Sequence, residues 1–402
     1  MYTIPQVEIQ SDALQVLIDE REHPNDESIW LRYNDELFDL KATGKSFVNT
    51  KSNILITQSS NKSTSFQMMR FNDKFSLVFP NNYHGLKITE NYNFTSIATC
   101  NDNILIGTDD GSVIKLPIPI SIHPLFPIIS QNIHFADIIK ILRFPSNKVF
   151  LTVGLDLQIK LWSNENKDSV LKTPVRILKN EHCRRITDVG MIGRGRNIVS
   201  CGLDGKIIIW EMSSALSVWK ASRIKDLNDG CTSLDIIQSE NYVQSNKSNC
   251  FFDCEGKFII VGHQSGFVTI WDCSTRLFMF EHKVSNFAIS DIKCVDQGRI
   301  IIGLNNGHVL LYQIDLKVRT LELIWDTHVE VSDNLIVDII HTEVYKGSVI
   351  VLSDNKLVRL NLKDGKLSDV YVGIDEKIFH FTILNGTLIV VGKRNLIVSI
   401  NL

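Results

Sequence analysis

Most of the signals that announce chemistry are missing from this 402-residue chain. Its eight cysteines are scattered without one CxxC pair, Cys250 and Cys254 being the nearest neighbours. That spacing excludes the usual zinc cradles and a disulfide framework, and fits small buried thiols in a reducing cytosol or nucleus. None of the eleven histidines stands in HxH or HExxH spacing, so no metal site is expected. Neither GxxxxGKS nor GxxxxGKT occurs, so no phosphate-cradling loop is encoded and no cofactor is expected. Gly190, Gly193 and Gly195 run GxxGxG, the reverse of the dinucleotide fingerprint, with no helix to follow. The first twenty residues lack the basic start and apolar run of a secretory signal. The most apolar stretch, LPIPISIHPLFPII (116–129), is broken by four prolines and cannot form a membrane-spanning helix.

Charge of one sign is also absent in bulk. The 42 Lys and Arg and 45 Asp and Glu leave a net charge of −3 with no basic run, which weighs against a nucleic-acid binder. The densest basic points are Arg184 with Arg185 and Arg194 with Arg196. They have two readings, solvated loop charges or contacts to RNA phosphate.

What the chain does have is repetition. Seven times it writes an apolar run, a tight polar turn and a second apolar run that ends on a bulky residue. The clearest copies are VFLTVGLDLQIKLW (149–162), NIVSCGLDGKIIIW (197–210) and FIIVGHQSGFVTIW (258–271). The terminal residues are Leu116, Trp162, Trp210, Trp271, Tyr312, Leu360 and Ile400, spaced by 46, 48, 61, 41, 48 and 40 residues. That period belongs to propellers of WD-type blades, in which each phrase supplies two strands of a four-stranded sheet that cannot cover its own faces alone. The expected fold is therefore mainly β, a seven-bladed WD40-type β-propeller over 76–402 preceded by a small N-terminal domain or cap over 1–75. The last phrase leaves no residues for a fourth strand, so an upstream segment must close the ring, and LKIT (86–89) is the candidate. In the N-terminal part Leu14, Leu17 and Ile18 fit one face of a short helix, and a polar linker is expected at 58–65. The spacing of 61 places a Ser/Asn-rich insertion at 238–250, a loop on the bottom face.

His182, Ser200 and Asp204, and again His134, Thr152 and Asp156, have the residue types of a hydrolase triad. The recurrence decides against catalysis. In both sets the Asp lies six residues and the hydroxyl ten residues before a tryptophan, Trp210 or Trp162. That is the spacing of the hydrogen-bonded His-Ser/Thr-Asp-Trp tetrad that rigidifies WD blades from within. With no catalytic candidate left, the expected function is protein binding by a non-enzyme. The loops of the top face carry Asp109, Asp110, Asp226, Asp229, Asp326, Glu330, Asp333, Asp375 and Glu376, an acidic rim suited to steering a basic partner.

The stretch HCRRITDVGMIGRGRNIVSCGLDGKIIIWEMSSA (182–215) resembles the third-blade region of the proteasomal ATPase-associated factors, where an Arg-Gly-Arg-Asn hairpin precedes a Ser-x-x-x-Asp-Gly turn and a Trp. Residues 144–163 and 256–272 are similar to the neighbouring blades of that family, and the insertion lies where the family has one. These are WD-repeat chaperones that help assemble the base of the proteasome's nineteen-S regulatory particle. The resemblance implies a partner, the C-terminal small domain of one proteasomal ATPase subunit, and makes the acidic rim its docking face. A generic WD scaffold in a ubiquitin ligase or ribosome-assembly complex, and an RNA-associated propeller using Arg184, Arg185, Arg194 and Arg196, stand as alternatives.

Overall fold

Short runs of Val, Ile and Leu bounded by polar turns form strands throughout, because β-branched side chains pack well on a pleated surface buried on both faces. The computed structural model describes residues 2–402 apart from 14, 17–27, 35, 44–45, 59–63, 71–72, 87, 89, 101–102, 119–126, 165–169, 240–250, 330–337 and 355. The N-terminal part holds β1 (Tyr2–Ile4), β2 (Val7–Ile9), β3 (Ser28–Tyr33), β4 (Glu36–Thr43), β5 (Ser46–Asn49), β6 (Ile54–Gln58), β7 (Ser65–Arg70), β8 (Asp73–Val78) and β9 (Asn82–Tyr83).

The repeats then follow in order. Sheet 1 contains β10 (Phe94–Cys100), β11 (Asn103–Thr108), β12 (Val113–Pro117) and β13 (Ile128–Ser130). Sheet 2 contains β14 (Ile138–Arg143), β15 (Val149–Gly154), β16 (Ile159–Ser163) and β17 (Arg176–Leu178). Sheet 3 contains β18 (Ile186–Ile192), β19 (Asn197–Gly202), β20 (Lys206–Glu211) and β21 (Leu216–Ser222). Sheet 4 contains β22 (Cys231–Gln238), β23 (Lys257–His263), β24 (Phe267–Asp272) and β25 (Phe278–Lys283). Sheet 5 contains β26 (Ile289–Cys294), β27 (Arg299–Leu304), β28 (His308–Asp315) and β29 (Thr320–Val329), with β1 added in parallel on β29. Sheet 6 contains β30 (Ile339–Tyr345), β31 (Ser348–Ser353), β32 (Lys356–Asn361) and β33 (Leu367–Tyr371). Sheet 7 contains β34 (Ile378–Leu384), β35 (Thr387–Gly392) and β36 (Ile397–Asn401), with β9 as its outer strand.

The first strands of successive sheets pack side by side, β10 on β14, β18, β22, β26, β30 and β34 in turn, and β34 returns to β10. The phrase-terminal residues face backwards around this ring. Trp162 is buried with Leu105 and Val113 of sheet 1, Trp210 with Leu151 and Val153 of sheet 2, and Tyr312 with Phe258 and Ile270 of sheet 4.

Two expectations need correction. Among the described residues seven separate blades are not present: six sheets of four or five strands stand as separate blades, and the sixth phrase lies inside an eleven-stranded sheet. The reason is that β8 pairs in parallel with β33, so hydrogen bonding runs unbroken from sheet 6 through β8 back to β2. An outer strand with unpaired N–H and C=O groups accepts any strand that reaches it, and here the N-terminal part does so. Its inward side chains, among them Ile29, Leu31, Leu40, Phe47, Ile56, Phe66 and Met68, share one core with Ile301 and Trp325 of sheet 5 and Val349 and Leu360 of sheet 6. Secondly, the closing strand is not LKIT. Asn82 and Tyr83 pair with Ser399 and Val398, while Leu86 packs against the core between sheets 7 and 1. The helix residues Leu14, Leu17 and Ile18, most of the linker at 58–65 and most of the insertion at 238–250 lie outside the described residues.

At two turns glycine is required both by conformation and by close approach. Gly205 and Gly266 have φ of 73° and 78°, and a Cβ there would stand 2.5 Å from Leu227 O and 2.2 Å from Ser285 O. The loops that enter sheets 4 and 5 are thus seated directly on the preceding turns.

Candidate protein-binding surface

The two predicted constellations are assembled as hydrogen-bond relays. His182 Nδ1 lies 3.0 Å from Asp204 Oδ1 and its Nε2 lies 2.8 Å from Ser200 Oγ, which accepts the Trp210 Nε1–H at 2.8 Å. In sheet 2 the corresponding distances are 2.9 Å (His134 to Asp156), 2.7 Å (His134 to Thr152 Oγ1) and 2.9 Å (Trp162 to Thr152). A carboxylate can only accept, so each imidazole carries a proton on Nδ1, and each hydroxyl bridges Nε2 and the indole N–H, from which it accepts. Burial would raise the Asp204 carboxyl, but His182 and the amides of Cys183 and Lys206 outweigh it and hold the group down at about 2. Burial lowers the His134 imidazole and keeps it neutral. With the hydroxyl saturated by its neighbours inside a closed core, neither set can act as a nucleophile.

A third relay escaped the sequence reading. His263 Nε2 lies 2.8 Å from Thr269 Oγ1, which accepts from Trp271 Nε1 at 3.2 Å, and Trp271 is wedged edge-on between Trp219 and Phe278. Its hydroxyl stands two residues before the tryptophan, and Val261 occupies the place ten residues before it, so a search at fixed spacing passes over it.

The first strands of all the sheets line a central cavity of about 860 Å³. Side chains on its wall tie successive sheets from 1 through 6 to one another. Asp188 accepts from Leu234 N at 2.9 Å, Asp235 from Cys294 N at 2.7 Å, and Asp291 from Thr342 N at 2.7 Å. Thr187 Oγ1 donates to Cys231 O at 2.9 Å and Ser96 Oγ to Ile138 O at 2.9 Å. Burial lifts the Asp291 carboxyl to about 6 against the pull of Thr342, and burial lowers His380, stacked on His341 at 4.2 Å, to about 4. Lys140 stays charged because Asp188, which it contacts, outweighs burial. These groups act as wall ties, and no group of three or more His, Cys, Asp or Glu among the described residues could hold a metal.

The acidic rim is only partly free. Asp109 accepts from Asn93 N and Nδ2 at 3.1 and 2.6 Å, and Asp110 from Ser112 N at 3.0 Å. Asp229 is buried, bonded to Arg223 at 3.0 Å and to Ser265 N at 3.1 Å. Asp326 is bonded to His308 at 2.7 Å, and Glu376 to Arg394 at 2.9 Å. Asp226 and Asp375 remain exposed, while Glu330 and Asp333 lie outside the described residues. The arginines divide in the same manner. Arg194 pairs with Asp253 at 3.2 Å, and Arg196 lies 3.5 Å over the Phe252 ring and 3.4 Å from Glu211, both holding the hairpin at 192–197 against 251–254. Arg184 and Arg185 are exposed on the loop entering sheet 3. On the loops entering sheets 2, 4 and 5, apolar side chains also stand out into solvent: Phe135 (86% exposed), Ile224 (64%), Leu227 (64%) and Phe287 (49%). A sequence search for charge had no means of finding these; the signal was a bulky apolar residue in a loop.

Comparison with known proteins agrees with this picture. The model of the WD domain, G-beta repeat, matches residues 172–211. The chain is 24% identical over 194 residues to the 26S proteasome regulatory subunit RPN14 of Saccharomyces cerevisiae, a match that covers 46% of this chain and 44% of that protein. The β-propeller domain of Myceliophteria thermophila Cps50 (Swd1) superposes with a TM-score of 0.59 at 12% identity, covering 76% of this chain and 96% of that one. The chain is therefore a mainly-β, WD40-type propeller, and is similar over part of its length to a subunit of the proteasome's regulatory machinery.

Proposed function

We propose that this protein is a non-enzymatic assembly chaperone of the proteasome regulatory particle, which holds the C-terminal small domain of one ATPase subunit against the top loop face until the particle matures. The partial match to the yeast regulatory subunit RPN14 carries the proposal. The face itself supports it. Exposed Phe135, Ile224, Leu227 and Phe287 offer apolar anchors, and Asp226, which accepts the Asn228 N–H of its own turn at 3.1 Å, and Asp375 offer exposed carboxylates to a basic partner. The site of action is the cytosol or nucleus, where proteasomes assemble.

The test is capture of the six purified ATPase small domains by the full chain at low and physiological salt. Selective capture of one or two is expected. Asp226→Lys with Asp375→Lys should weaken it by about tenfold, and Leu227→Ala with Phe287→Ala by more. Capture of none by a folded propeller overturns the proposal.

A further inference from the structure

One face of the N-terminal sheet is buried on the propeller, and the other is not the polar surface that a solvated antiparallel sheet presents. Strand β3 alternates, with Ile29, Leu31 and Tyr33 buried and Trp30 and Arg32 outward. On the outward face one row crosses five strands in register. Lys41 is opposite Val48, Val48 opposite Leu55, Leu55 opposite Met69, and Met69 opposite Lys74. Leu55 is 37% and Met69 46% exposed, and Val48 is half-buried outside the core that the inner face makes. Trp30 shares this face, 39% exposed. Lys41 and Lys74, at the two ends, are exposed, and neither has an acidic partner among the described residues. Of the acids on the face, Asp39 stands two residues along β4 from Lys41, and Asp369, opposite Ser76 and so two residues along from Lys74, is paired with Arg359.

Directly opposed residues repeat at the strand spacing of about 4.8 Å, so the apolar trio spans about 10 Å and the lysine Cα atoms stand about 19 Å apart. An α-helix rises about 1.5 Å per residue, so positions i, i+3 and i+7 of a helix laid across the strands fall on Val48, Leu55 and Met69. Residues some 13 positions apart on that helix then reach the two lysines. We propose that this row is a second docking site, built for an amphipathic helix of a partner protein whose apolar stripe ends in Asp or Glu on both sides. A second copy of this chain fits poorly, because stacking the row on itself sets lysine against lysine. The inference uses none of the residues of the top loop face and stands apart from the function proposed there.

Two labelled helical peptides test it against the full chain by fluorescence anisotropy. Both carry Leu at i, i+3 and i+7, one with Glu at its ends and the other with Lys. The Glu-ended peptide should bind at least about tenfold more tightly than the Lys-ended one. Leu55→Asp with Met69→Asp should remove that binding, and Lys41→Glu with Lys74→Glu should reverse the preference. All four positions are on the outer face, and an unchanged melting temperature shows that each variant is folded. Equal binding of the two peptides, no binding, or binding that survives both pairs of substitutions overturns the proposal. Self-association of the wild-type chain that disappears in the Leu55→Asp, Met69→Asp variant also overturns it, by giving the row to a second copy.

Discussion

Sheets 2, 3 and 4 each fix a tryptophan through a buried histidine–hydroxyl relay, and among the described residues their outer strands β17, β21 and β25 carry no added strand. Sheets 5, 6 and 7 show the reverse. Their phrases end on Tyr312, Leu360 and Ile400 with no such relay among the described residues, and each gains an outer strand from the N-terminal part, β1, β8 and β9. The registers show the exchange at one position. Thr152 and Ser200 lie two residues beyond the partner of the tryptophan, and the matching residues in sheets 5, 6 and 7 are Ile302, Val351 and Val390, all fully buried. Replacing hydroxyl and indole together leaves no orphaned polar group, so the change is tolerated where the strand ladder supplies order instead. Among the described residues sheet 1 has neither device; its turn is held by Thr108, Asp110 and Ser112 among themselves. A blade can thus be made rigid from within by a polar relay or from its side by another strand.

The largest effect that would sharpen this contrast comes from the shared core. Phe66 is fully buried and packs on Phe47 and Phe79 at 6.5 and 5.6 Å, so Phe66→Ala should cost about 3–5 kcal/mol in a urea titration. Amide exchange should then rise in β29 and β33 and stay slow in β19 and β20. Next comes His182→Ala, which strands the buried Asp204 carboxylate and Ser200 hydroxyl and should cost about 2–4 kcal/mol, with faster exchange confined to sheet 3. The double variant should show additive losses, because the two sites share no partners; strong coupling would break the division into two mechanisms.

Smaller effects follow from titration and backbone strain. The Asp204 carboxyl is depressed in the folded protein, so its contribution is present above the ordinary carboxylate range and is lost as pH falls through about 2; His182→Ala should flatten the acid limb of the stability profile. Asp291 has the opposite sign. The folded state holds its proton up to about 6, so its stabilising share is lost as pH rises through that value, and Asp291→Asn should raise the melting temperature at pH 8 with the gain shrinking toward pH 5. Smallest is Leu157, which occupies the turn position filled by Gly205 in sheet 3 and sits at φ 62°; Leu157→Gly should stabilise by up to about 1 kcal/mol in the same titration.

The repeat, its period and the tetrads of sheets 2 and 3 were legible because each rests on local spacing: apolar alternation, a turn of two or three polar residues, and a hydroxyl and carboxylate at set distances from a tryptophan. What was not legible depends on pairing across long separations. Nothing local in DKFSLV distinguishes a strand of a separate domain from one that completes sheet 6, and the identity of β9 depends on which two residues reach Val398 and Ser399. The acidic rim was over-read for a related reason. Composition counts Asp109, Asp229 and Asp326 as free charge, but each is consumed by a neighbour that lies 16 residues or more away in the chain or is a buried arginine.

The closing pair between β9 and β36, reinforced by the 2.9 Å contact of His84 Nε2 with Ser399 Oγ across 315 residues, has a temporal side. At about 5–20 residues per second, the strands of the N-terminal part leave the ribosome tens of seconds before β29, β33 and β36 exist to receive them. Throughout that interval the nascent chain carries pairing-competent edges and an apolar sheet face with nothing of its own to put against them. Newly made copies of this protein should therefore be more dependent on general chaperones, and more prone to cross-pair on crowded polysomes, than its folded stability alone would indicate.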